Sequence, residues 1–505
     1  MFTPRVSNVA NSTGLASKSE GLRTIAYLRL RAPVVSAEGL IRVDTIGFPK
    51  DAVMHFQTGI EDDEDVRAAL SWLAEVSGAP AAFKRRLRQA QRAYTEYTGD
   101  IAHKGRDPSL SVLGPDIVAS FFAQSQSMLD DRRSFDPALA SRCIPWIKQI
   151  GANADALSNV PGAAERARRM LEDAATAPDG TVFELVMAGN YAAHGEDVIL
   201  VPEQPGKSKT PDIHLAVEGR TERVAVECKR LRAGQYEVEE RELQRGIFRR
   251  AAELIEKWRL SLHIDVNYVV ELSYVPESYL ADWLKRFLSA TVIMPGHYPW
   301  NDEFGSGEIR PANTAAVLEE IEDSSLYFGT KFARMLSGNA VRENGYNLAA
   351  GLRPDVRDPR YFKGFEYGSV VTWQCTAPSA IDRKARHVKS KLAEAGRQVS
   401  TQRVGVIHLA MDAEPDCESS DLRRQRNMAV ISEFRAESIV AALYVHYIVP
   451  RISETHAWLV DETVDKFSHG GEPPAMMIFS NSRPVDNDLP AWKQTLAVPR
   501  PPVGG

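Results

Sequence analysis

Long apolar runs are missing from this chain of 505 residues. The longest, Ile439 to Val449, is too short for a bilayer and contains His446, and the N-terminus lacks the apolar stretch of a secretory signal. No membrane or export route is expected, and the expected location is the cytoplasm. Cysteine is scarce: Cys143, Cys228, Cys375 and Cys417 lie far apart with no Cys-x-x-Cys spacing, which excludes a zinc knuckle or a disulfide framework. Neither sign of charge dominates, with 61 Lys and Arg against 67 Asp and Glu for a net charge of -6. Any contact with nucleic acid must therefore come from local basic patches. A Gly-x-Ser-x-Gly elbow and a His-Glu-x-x-His helix are also absent. Gly206-Lys207-Ser208 resembles the end of a phosphate-binding loop, but Val201 stands where its first glycine is needed.

What remains is globular. Hydrophobic residues make up 44% and charged residues 25%, which argues against disorder or a fibrous repeat, and the length suggests two to four units. Residues 1–24, rich in Ser, Asn and Gly, suggest a flexible tail. Residues 25–177 are mainly helical in pattern, with Val66, Leu70, Leu73 and Val76 at helical spacing. From 178 to 290 the order becomes helix, three short strands, long helix, strand. Residues 291–367, broken by Gly, Pro and Asn, suggest an irregular insertion with short helices. Strands and helices alternate again over 368–505, and these strands are candidates to extend the central sheet. The fold class is α/β: a mixed sheet flanked by helices, with a helical N-terminal region and an additional α/β C-terminal region.

Two acids and a lysine stand out in the central unit. In Val224-Ala225-Val226-Glu227-Cys228-Lys229 alternation sends Val224, Val226 and Cys228 to one face and Ala225, Glu227 and Lys229 to the other, which turns polar at the C-terminal end. Should the strand begun by Asp212 be its neighbour, Asp212 and Glu227 converge on a hard divalent cation with Lys229 adjacent. Oxygen ligands with retained waters suit magnesium, with manganese as a substitute. The backbone carbonyl of Cys228 is a further candidate ligand, whereas its thiol fits a small buried hydrophobe. Glu184, on the preceding helix, is the candidate additional carboxylate. Phosphodiester hydrolysis needs this set: a metal to polarise the phosphoryl oxygen and acidify water, and a cation to place the nucleophile. The competing possibility is a surface ion-pair cluster. Arg241, Arg245 and Arg249 recur every four residues on the following helix with Arg230 nearby, and suit either phosphates or the helix's own glutamates. Gln244 is a weak candidate neighbour of the site.

Phe183-Glu184-Leu185, Thr210-Pro211-Asp212-Ile213 and Val226-Glu227-Cys228-Lys229-Arg230, in this order of elements, resemble the PD-(D/E)XK nuclease superfamily, whose fold is restriction-endonuclease-like. The resemblance covers about residues 178–275. It implies that Asp212, Glu227 and Lys229 are the metal-binding and catalytic set and Glu184 the helix-borne acid of many members. The function expected from it is a magnesium-dependent endonuclease acting on DNA rather than RNA, in a bacterial defence or restriction-type role. The alternative is a catalytically inactive nucleic-acid-binding or scaffold protein that keeps the fold, and oligomerisation or a protein partner stays open. A second segment, Val371-Thr372-Trp373-Gln374-Cys375-Thr376 with Pro354-Asp355 upstream, echoes the first without its acid and lysine.

Overall fold

A computed structural model describes residues 64–104, 116–130, 137–202, 210–216, 223–290, 296–322, 330–338, 345–354, 362–399, 404–413, 418–434, 440–451, 459–468, 476–479, 482–483 and 490–493. It also describes two short paired strands, β1 (Val34–Val35) and β2 (Ile41–Arg42). The expected N-terminal tail and Gly206-Lys207-Ser208 lie outside these residues, as does most of the stretch after Pro484.

Helices α1 (Glu64–Val76), α2 (Pro80–Lys104), α3 (Ile117–Asp130), α4 (Pro137–Ala152), α5 (Ala154–Ser158) and α6 (Ala163–Glu172) fill the N-terminal part. Val66, Leu70 and Leu73, one helical stripe, bury against Ile144, Ile147 and Ile150 of α4 and lead into the largest core. The basic run on α2 is partly structural, since Arg86 donates from Nη2 to Asp116 Oδ1 at 2.9 Å.

The central unit opens with α7 (Asp179–Ala193), followed by β3 (Val198–Leu200), β4 (Ile213–Ala216), β5 (Arg223–Leu231) and the long α8 (Gln235–Trp258). Beyond it come β6 (Leu262–Tyr268), α9 (Tyr279–Ala290), β7 (Tyr298–Asn301), β8 (Gly305–Pro311), α10 (Thr314–Glu322), α11 (Thr330–Ser337), β9 (Tyr346–Pro354) and β10 (Phe362–Cys375). The chain then runs through α12 (Pro378–Val399), β11 (Gly405–Asp412), α13 (Glu418–Ser432), β12 (Val440–Arg451), β13 (Leu459–Ser468) and β14 (Ser482–Arg483).

Two mixed sheets organise these strands. One has seven strands in the order β14-β13-β12-β11-β5-β4-β3, the other five in the order β7-β8-β6-β10-β9. The segment 178–290 does not form one sheet: β6, expected as a further strand of the same unit, pairs parallel with β10 in the other sheet. The place next to β5 is taken by β11, also in parallel. The two sheets thus exchange helix–strand units, β5 passing through α8 to β6 and β10 through α12 to β11.

Burial explains the exchange. Val388, Leu392, Ala395 and Val399 of α12 pack with Ala225, Ile407 and Leu409, while Ile247, Phe248, Ala251 and Ile255 of α8 pack with Ile264, Val371 and Trp373. The segment 291–367 also departs from expectation, because it contributes β7, β8, β9 and the start of β10. Its glycines serve the strands: a Cβ on Gly307 would stand 2.4 Å from the Asp265 carbonyl oxygen and from the Trp300 ring.

Candidate active site

Strands β4 and β5 pair antiparallel with Ile213 opposite Val226, so the next residues outward, Asp212 and Glu227, stand across from each other. Cross-strand partners share a face, hence both carboxylates lie on the side opposite the Val224, Val226 and Cys228 core. Asp212 accepts a hydrogen bond from the Cys228 N–H at 2.9 Å, which locks the two strand ends together. Asp212 is 9% exposed and Glu227 is fully buried. Two residues along the same face, the Lys229 ammonium contacts Glu227 Oε1 as an ion pair.

The electrostatics follow from that burial. Desolvation and then the Asp212 charge push the Glu227 carboxyl up to about 9, and Lys229 only partly offsets them. Burial raises Asp212 as well, opposed by Lys229, the Cys228 N–H and Arg166. For Lys229, burial acts against the charge, but Glu227, Asp212 and Glu394 outweigh it and hold the ammonium above its usual range. Lys229 is a cation here, not a base. The Cys228 thiol is pushed far up by burial and is inert.

A hard cation fits this donor set. Lys229 holds only Oε1 of the buried Glu227 carboxyl, Oε2 has no hydrogen-bond partner among the described residues, and a second carboxylate faces it. Among the described residues no three His, Cys, Asp or Glu side chains form a metal-holding group. The ion would therefore rest on Asp212, Glu227 and a main-chain carbonyl such as that of Cys228.

Glu184 lies near, and its charge contributes to raising Glu227. Its carboxylate is engaged by Arg166, whose side chain also donates to the Val201 carbonyl oxygen at 2.7 Å and stands 4.0 Å from Asp212. Gly162 makes this possible: its φ of +89° suits glycine, and a Cβ there would meet the Leu200 carbonyl oxygen at 2.4 Å as α6 begins. Sequence reasoning missed Arg166, which sits in the run Arg166, Arg168 and Arg169 and carries no mark of burial.

It also missed Glu394. This residue of α12 lies 3.9 Å from Lys229, and Gln398 one turn on donates to the Thr210 carbonyl oxygen at 3.2 Å. The helix that covers Glu227 is thus α12, from the far end of the chain, and not α8. Gln244 of α8 is fully buried in the other sheet, where it hydrogen-bonds Asn347 at 3.2 Å and accepts from the Tyr268 hydroxyl at 2.9 Å.

The arginine candidates separate as well. Arg230 pairs with Asp412 and lies over the Trp146 ring, Arg245 pairs with Glu242, Arg249 is exposed and Arg241 is half-buried. The echoing strand β10 holds a like position between antiparallel β9 and parallel β6, but Trp373 and Cys375, not Gln374, join the core built on α8. Pro354 pairs with Phe362 at the far end of β10, so its Pro-Asp is no counterpart of Pro211-Asp212.

Comparison with protein-family models, with curated proteins and with solved structures finds no match to this chain. Among the described residues no helix is long and apolar enough to cross a membrane.

Proposed function

We propose that the chain is a magnesium-dependent nuclease that hydrolyses phosphodiester bonds in DNA, built on a restriction-endonuclease-like core. One observation carries the proposal: Asp212 and Glu227 from neighbouring antiparallel strands are buried face to face, with Lys229 on the same face holding one Glu227 oxygen and the other, Oε2, left without a partner among the described residues. Two buried carboxylates repel, and leaving a buried acceptor unpaired costs about 1–3 kcal/mol. A structural ion-pair cluster gains nothing from such strain, whereas a cation site uses it. The order α7, β3, β4, β5, with a parallel neighbour for β5, supports the core assignment.

Magnesium, when bound, supplies a polarised phosphoryl oxygen and a water of lowered pKa. The chain's residues do the rest. Asp212 and Glu227 hold the ion at the end of the ladder. Lys229 stays protonated, directs its ammonium toward the attacking side and offsets charge gathering on the phosphate. Glu394 steadies Lys229, and Arg166 keeps Glu184 turned beside Asp212. A restriction-type defence role is an analogy drawn from the core alone.

The test is incubation of purified protein with plasmid, linear DNA and RNA, with magnesium or EDTA. Magnesium-dependent cleavage of DNA is expected. Binding of nucleic acid without cleavage under any condition would favour a scaffold that keeps the fold.

A further inference from the structure

Strands β5, β11 and β12 run parallel, and α8, α12 and α13 all begin near their C-terminal ends. Ligands in open α/β sheets sit at that edge. A cavity of about 120 Å³ opens there, lined by Glu237, Glu240 and Arg241 of α8, Trp373 of β10, Lys384 of α12 and Arg423 of α13. Sites for drug-sized ligands span roughly 300–1,000 Å³, so this one admits a single ring system and not a duplex.

Its polar groups are incompletely paired. Glu240 is 4% exposed, and its Oε2 takes the Lys384 ammonium at 2.7 Å. Among the described residues its Oε1 has no hydrogen-bond partner, and the weak Cys375 thiol lies beside the carboxylate. Arg423 gives Nη1 to Glu237 at 2.8 Å, and its buried Nε has no partner among the described residues. A spare acceptor and a spare donor, on helices joined by the Glu237–Arg423 pair, match a ligand edge that carries a donor beside an acceptor. Nucleobase edges have that pattern, and Trp373 adds an aromatic side chain to the wall. Half-buried Arg241 has no carboxylate within ion-pair distance among the described residues, and Ser419 and Ser420 bring the first turn of α13 to the cavity wall. Arg241 suits a phosphate, whereas that turn also carries Glu418 and Asp421.

We propose that this cavity holds the base of a single nucleotide unit, with its phosphate on Arg241. Only the source of that unit, the substrate strand, rests on the nuclease proposal. Glu227, Lys229 and Leu231 share one face of β5, and Leu231 lines the cavity. The cavity thus starts about 13 Å from Glu227, at roughly 3.3 Å per strand residue, a distance of about four stacked nucleotides.

The test is calorimetric titration of the full-length chain in EDTA with the four deoxynucleoside monophosphates, the matching nucleosides and inorganic phosphate. At least one nucleotide should bind at one site, its nucleoside more weakly, and phosphate alone should not bind. Glu240→Gln should weaken binding about tenfold or more and change the preferred base. Arg241→Ala should weaken the nucleotide and leave the nucleoside unchanged. Should a melt show Glu240→Gln to be unfolded, Arg241→Ala on its more exposed side chain decides the matter. No nucleotide binding at millimolar concentration, phosphate binding as tightly as nucleotide, or binding indifferent to the folded variants would overturn the proposal. Without metal nothing is cleaved, so this outcome is independent of the cleavage assay.

Discussion

Glu227 is the residue on which the chemistry turns, because its proton and a metal ion compete for the same oxygens. Folded, it keeps its proton up to about 9, while unfolded it loses it near 4.5. Between those values the folded state binds more protons, so its stability falls as pH rises. Thermal melts in EDTA should show this decline, and Glu227→Gln should remove that share of it. Magnesium should restore stability most at the alkaline end and release about one proton on binding, measurable by calorimetry in buffers of different ionisation enthalpy. A wild type and a Glu227→Gln variant with the same pH slope would contradict the assigned burial. At this scale the sequence was informative: alternation along Val224 to Lys229 put Glu227 and Lys229 on one face, and the strand begun by Asp212 is indeed the neighbour that brings Asp212 opposite. Arg166, buried, and Glu394, half-buried, were illegible because nothing local distinguishes such a charge on a helix from a solvated one.

Among the elements, β11 does more than fill the place beside β5. His408 on it lies opposite Cys228 in the ladder, and its ring links two neighbours. Its Nε2 is 2.8 Å from the Tyr191 hydroxyl of α7, and its Nδ1 is 3.0 Å from His446 Nε2 of β12. His446 Nδ1 in turn meets Glu462 Oε1 of β13 at 2.7 Å, and Glu462 accepts the Ile478 N–H at 2.9 Å. The chain of bonds is fully buried and ties the helix of Glu184 to three strands. Burial, and then His446, hold His408 well below its usual range, so it is neutral when folded. Unfolding lets it take up a proton below about 6.5, hence its contribution is present above that pH and lost as pH falls. His408→Phe strands the Tyr191 hydroxyl and a His446 nitrogen, at about 1–3 kcal/mol each, and should cancel this acid-side loss. Urea titrations of both proteins at pH 5 and 7.5 check it, and an unchanged midpoint would deny the network its role.

The whole molecule is held as one unit by the exchange of α8–β6 for α12–β11. Composition and periodicity locate most helices and strands, yet they carry no information on which parallel strand a crossover helix delivers to which sheet. Both α8 and α12 carry apolar stripes, and neither stripe names its sheet in the sequence, so 178–290 passed for a self-contained core. The strands of 291–367 were hidden for another reason, since glycines such as Gly307 are there to admit Trp300 and look like loop residues in the sequence. A fragment spanning 178–290 lacks α12 and β11, leaving Ala225 and Leu231 uncovered and one edge of β5 unpaired. Expressed alone it should show no cooperative melt, whereas the full chain should unfold in a single transition. A well-folded fragment would mean that the exchange is not needed for stability.

The most direct test of the nuclease assignment is DNA cleavage by Lys229→Ala against wild type and Asp212→Ala across a magnesium titration, with a melt of each. Lys229→Ala keeps both carboxylates, so magnesium should still bind while cleavage falls about 10²–10⁴-fold. Asp212→Ala should require far more magnesium for any residual cleavage. Wild type and Lys229→Ala cutting at the same rate would contradict the account.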